Sequence, residues 1–144
     1  MNRAPITLLF PLFLLSGCYL EGLTDANSVE LDFSVEPAGH GQWLEQPEFE
    51  VSGDVGQLTV TSRLSTPDPC QQLTGEASRS GSRVTLRITI VREGEGCYDV
   101  IGTFRYTALI SGLAPGTYEL RVIHDYPGTG WPSGPVLERD VAVR

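Results

Sequence analysis

Two hydrophobic patterns divide the chain. Residues 6–15 are apolar except for Thr7 and Pro11, whereas from Val29 onward apolar and polar residues alternate. Val29, Leu31, Phe33 and Val35 fall on one face, with Glu30, Asp32, Ser34 and Glu36 on the other. This is the period of a half-buried strand. Phe49 and Val51 begin a second strand, and residues 58–61 continue after the turn Gly53-Asp54-Val55-Gly56. Pro67 and Pro69 close that element, and a further strand covers about 70–78. Arg79-Ser80-Gly81-Ser82 is a tight-turn signal, followed by Val84, Leu86, Ile88 and Ile90 at alternate positions. After the loop 93–96, Phe104, Tyr106, Ala108 and Ile110 share a face, as do Tyr118, Leu120 and Val122, and residues 136–143 form the last strand. Roughly seven or eight short strands, no run of helical period, sixteen glycines and ten prolines predict an all-β fold. The expected form is an antiparallel β-sandwich of about seven strands over residues 29–144.

The apolar run at the start has a different meaning. Ten residues make about 15 Å of helix, half of a hydrocarbon core of about 30 Å. With Arg3 before it and small residues at its exit, the segment reads as a secretory signal. The exit, Leu15-Ser16-Gly17-Cys18, resembles the bacterial lipobox. That resemblance implies a signal peptide over 1–17, cleavage before Cys18, and acyl chains on the Cys18 thiol. Two or more chains give stable anchoring where one is marginal. Residues 18–28 then form a lipidated cysteine and a short tether spanning at most roughly 35 Å. Tyr19 stands where an aspartate commonly retains such proteins at the inner membrane. The implied location is the cell envelope, with the outer membrane favoured in a Gram-negative cell.

Charge narrows the partners. Residues 1–17 carry one arginine and no acid, so their removal takes the formal charge from −8 to −9. A net negative domain argues against nucleic acid, whose affinity comes from phosphate neutralisation. It argues equally against adhesion to anionic lipid, which leaves the membrane contact to the lipid anchor. All ten basic residues are arginine.

With Cys18 given to lipid, Cys70 and Cys97 remain as a pair in an oxidising compartment and are expected to form a disulfide. A simple meander would leave them two strands, about 9.5 Å, apart, beyond the roughly 7 Å that a bridge tolerates. Either the loop before Cys97 folds over the sheet end, or the following strand crosses to a second sheet. The crossing is the preferred solution.

The segment Leu113-Ala114-Pro115-Gly116-Thr117-Tyr118, running on to Val122, resembles the tyrosine corner of immunoglobulin-like, fibronectin-type and transthyretin-like envelope domains. This implies architecture and not activity. The loop 125–135 carries Tyr126 and Trp131 on a frame stiffened by Pro127, Gly128, Gly130 and Pro132, and is the candidate binding surface. Trp43, in the connection 37–47, is a third candidate. Each tryptophan has an alternative role as a lid on the sandwich end. His124 and Asp125 could orient a general base, but no nucleophile is identified beside them, so a hydrolase is the weaker alternative. No catalytic set, metal-ligand cluster or phosphate loop is found, and no cofactor is expected. The sequence thus predicts a non-enzymatic, membrane-anchored envelope lipoprotein that binds a protein or envelope component, or alternatively a small ligand or glycan, through Tyr126, Trp131 and Trp43.

Overall fold

The computed structural model describes residues 27–144. The expected signal peptide, Cys18 and most of the expected tether lie outside the described residues. Eight strands follow one another: β1 (Glu30–His40), β2 (Glu48–Asp54), β3 (Gln57–Thr66), β4 (Gln71–Ser80), β5 (Arg83–Arg92), β6 (Gly102–Ser111), β7 (Gly116–Asp125) and β8 (Gly134–Val143). They form two four-stranded sheets, ordered β1-β6-β3-β2 and β4-β5-β7-β8. Among the described residues no helix is long and apolar enough to cross a membrane.

The period-two pattern sets the inner faces. Leu58, Val60 and Leu64 of β3 and Tyr106, Ala108 and Ile110 of β6 are buried from one sheet. Val84, Leu86, Ile88 and Ile90 of β5 and Leu120 and Val122 of β7 meet them from the other. Burying a side chain of this size stabilises by about 1.5–3 kcal/mol, so the central strands carry most of the core. The edge strand β1 contributes less, with Leu31 and Phe33 half-buried and Val35 exposed.

Eight strands form, within the seven or eight expected, and one pairing departs from the antiparallel expectation. β5 and β7 run parallel, with Val84 opposite Leu120 and Ile88 opposite His124. The chain leaves β5, crosses to the other sheet for β6 and returns in β7, so two reversals restore the original direction. The same crossing solves the disulfide problem. Cys97 lies in the loop that carries the chain between sheets, and its Cα comes within 5.9 Å of that of Cys70. The tyrosine corner is also made: buried Tyr118 donates its hydroxyl hydrogen to the Ala114 carbonyl at 2.9 Å.

Connections segregate by length. The tight links 55–56, 81–82 and 112–115 lie at one end of the sandwich. Ser28 and Val29, which lead into β1, lie against Gly112 at that same end. The longer loops 41–47, 67–70, 93–101 and 126–133 lie at the opposite end. Ten-residue strands separate the two ends by about 33 Å.

Candidate functional site: an aromatic pocket at the loop end

Loop 41–47 must travel far because β1 and β2 are opposite edges of their sheet. It therefore lies across the ends of β6 and β3, a path of three strand spacings or about 14 Å. Hydrogen bonds fix it on the way. The Gly41 N–H donates to the Ile101 carbonyl at 2.8 Å, and the Leu44 N–H donates to Ser65 Oγ at 2.9 Å. The Thr103 hydroxyl donates to the Gln42 carbonyl at 3.3 Å. Between these ties Trp43 is held out toward the second sheet.

Loop 126–133 is knitted by its own polar side chains. Ser133 Oγ accepts from the Tyr126 N–H at 2.8 Å, and the Thr129 hydroxyl donates to the Tyr126 carbonyl at 3.0 Å. The Trp131 N–H in turn donates to Thr129 Oγ1 at 3.1 Å. Gly128, at φ +74°, takes the left-handed turn that an L side chain resists. The result is a preorganised loop that brings Trp131 back over the sandwich end.

The two loops meet. Trp43 and Trp131 pack edge to face, with centroids 5.1 Å apart and planes at 78°. Tyr126 follows at 5.5 Å from Trp131, and His124 at 6.4 Å from Tyr126. These rings border an open pocket of about 380 Å³ that Leu44, Glu45, Pro47, Ser65, Pro132 and Val136 also line. Its size falls within the range of ordinary ligand sites. Trp43 is 58% exposed and Tyr126 is buried, so the aromatic series runs from solvent down to the core.

His124 forms part of the pocket lining and is almost wholly buried. Nε2 and the Tyr106 hydroxyl share a hydrogen bond of 3.0 Å, while Nδ1 has no protein partner. Burial pushes the imidazole down to about 4, so it is neutral at physiological pH. Burial likewise raises the Tyr126 phenol to about 12. Asp125 points to the opposite face of β7, where it pairs with Arg87 at 3.6 Å. Adjacent residues of a strand face opposite ways, which is why the His124–Asp125 pairing weighed from sequence is not made.

All three aromatic candidates from the sequence therefore converge. Trp131 is half-buried against the core and still borders the pocket, so covering the sandwich end does not remove its ring from the lining. Sequence reasoning missed Leu44, Glu45, Pro47, Val136 and the pocket-facing role of His124. The available signal was that His124 shares a strand face with Leu120 and Val122 and must point inward. Asp68 lies close to Cys70 and Cys97, but both sulfurs are committed to the disulfide, leaving one carboxylate as a metal donor.

The fold is echoed in one comparison with known families. Residues 59–129 match the family model of the ORF11 beta-sandwich domain. The matched stretch runs from β3 through β7, and so contains the disulfide, the tyrosine corner, His124 and Tyr126. Trp43 and Trp131 lie outside it, so the likeness concerns the sandwich and not the aromatic rim. No match was found among curated proteins or solved structures.

Proposed function

We propose that this chain is an envelope lipoprotein, anchored by acyl chains on Cys18, whose sandwich is a binding module and not an enzyme. Its target enters the aromatic pocket at the end farthest from the anchor. The observation that carries this reading is the convergence of Trp43, Tyr126 and Trp131, from two separate loops, on one preorganised pocket. Rigid aromatics supply contact area at low entropic cost, and a pocket formed before binding avoids an ordering penalty. Support for the orientation comes from Val29, which leads into β1 at the tight-turn end. A tether there directs the pocket away from the anchoring membrane, toward soluble or opposing envelope material.

The two halves of the proposal are tested separately. Cys18→Ser is expected to move the protein from the membrane fraction to the soluble fraction. Continued sedimentation with membranes would contradict the anchor. For the pocket, tryptophan fluorescence is titrated with a panel of peptidoglycan-fragment saccharides, proline-rich peptide and choline. A saturable change with one of them, abolished in Trp43→Ala and Trp131→Ala, is expected, and a flat response across the panel would overturn the pocket reading.

A further inference from the structure

Resting on that reading, we infer that the pocket recognises a methylated ammonium group. The first ground is the shape of the aromatic surface. The rings of Trp43 and Trp131 stand at 78° to one another and that of Tyr126 at 51° to Trp131, so they form the walls of a corner instead of one flat platform. Aromatic faces are electron-rich, and rings that line one pocket at different angles attract a cation from more than one side. A sugar ring stacks best on a single flat face.

The second ground is that the polar atoms on the pocket's inner wall are already occupied. The Ser65 hydroxyl accepts from the Leu44 N–H and donates to the Gln42 carbonyl. The Tyr126 hydroxyl donates to the Ser65 carbonyl, and His124 Nε2 is bound to Tyr106. Of the buried side-chain polar atoms in the lining, only His124 Nδ1 is left over. A saccharide reaching that inner wall would bury hydroxyls with few partners there, at about 1–3 kcal/mol for each one left unmade. A methylated ammonium has no such requirement.

The third ground is charge. Glu45 is the one charged side chain of the lining, and it takes part in no ion pair among the described residues. No arginine lines the pocket, and the chain is net negative. Anions are therefore disfavoured. A bare lysine ammonium is strongly hydrated and would find only Glu45 to replace its water. Methylation lowers that hydration and presents apolar carbon to the rings, matching an apolar pocket with one carboxylate at its margin.

Choline and its neutral carbon isostere 3,3-dimethylbutan-1-ol are compared by tryptophan fluorescence on the full mature chain. Choline is expected to bind on the order of tenfold more tightly, the ratio given by one to two kcal/mol of cation–π attraction. Glu45→Gln is expected to narrow that ratio, and Trp43→Ala, at an exposed position, to abolish it without unfolding the domain. Free choline and phosphatidylcholine vesicles, run as separate arms with the Cys18→Ser chain, distinguish a soluble ligand from a lipid headgroup. Saturation in either supports the inference. Equal affinity for choline and the isostere overturns it while leaving an apolar binding pocket. Saccharide or peptide binding without choline binding does the same. Failure of every probe removes both the inference and the reading on which it rests.

Discussion

Replacing Cys70 and Cys97 together with alanine is expected to lower the unfolding free energy by about 3.5 kcal/mol. The bridged cysteines are 27 residues apart, and closing a loop of that size removes this much chain entropy from the unfolded state. Few other contacts compensate. Loop 93–101 is otherwise tied mainly through backbone, Glu93 N–H to the Cys70 carbonyl and Ile101 carbonyl to the Gly41 N–H, each at 2.8 Å. Tyr98 is 81% exposed and Val100 43%, so the loop buries little apolar surface of its own. Against a typical total of 5–15 kcal/mol, the loss is a large share. Denaturant unfolding of the oxidised protein and the double variant measures it, with a fall in melting temperature of about 10–15 °C. A loss below about 1 kcal/mol would mean that the loop is held by something other than the bridge.

Acid is expected to weaken the fold through His124. Its imidazole titrates near 6.5 when unfolded and is held down to about 4 by burial in the native state. Between those values the unfolded chain binds the proton and the native protein does not. Stability therefore rises with pH across this window. The neutral ring's full contribution is present above about 6.5 and is lost as pH falls toward 4. At pH 4.5 the loss amounts to roughly 2.5 kcal/mol relative to pH 7. Carboxylates also titrate in the lower part of the window, so His124→Gln serves as the reference, since its amide can still hydrogen-bond Tyr106. Unfolding free energies at pH 7 and 4.5 are expected to converge between the two proteins as pH falls. Parallel pH dependences would show that His124 does not titrate as a buried group.

Much of the fold was legible because one physical rule governs it. Alternation in residues 84–90, 104–110 and 118–122 identified the strands and their buried faces, since a strand presents successive side chains to opposite sides. The cysteine spacing added a distance constraint, and that constraint correctly favoured a strand that changes sheet. Tyr118 was legible because the proline-glycine corner before it fixes local geometry. Strand neighbours were less accessible. Alternation reports which face is buried but not which strand lies alongside, so the parallel pairing of β5 with β7 left no local mark. Nor did the placement of β1 and β2 at opposite edges.

That edge placement explains what was missed at the site. Loop 41–47 crosses a whole sheet end only because its strands are far apart, and this crossing carries Trp43 to Trp131. The sequence marked both tryptophans and Tyr126 individually as rigid aromatics on turn-rich loops, but their meeting is a consequence of topology. The same holds for Glu45 and His124, which acquire their places in the pocket only once the loops have met over β7.

The two tryptophans of the chain are both in the pocket, so the two indole N–H signals of a ¹⁵N correlation spectrum report on it without further assignment. The decisive measurement is to follow these signals, with the backbone amides, while each panel probe is titrated into a chain of residues 19–144. A bound probe is expected to shift both indoles together along one saturation curve, with amide changes confined to loops 41–47 and 126–133 and the adjoining end of β7. Stationary indoles, or shifts centred on the tight turns at the other end of the sandwich, would contradict an aromatic binding site there.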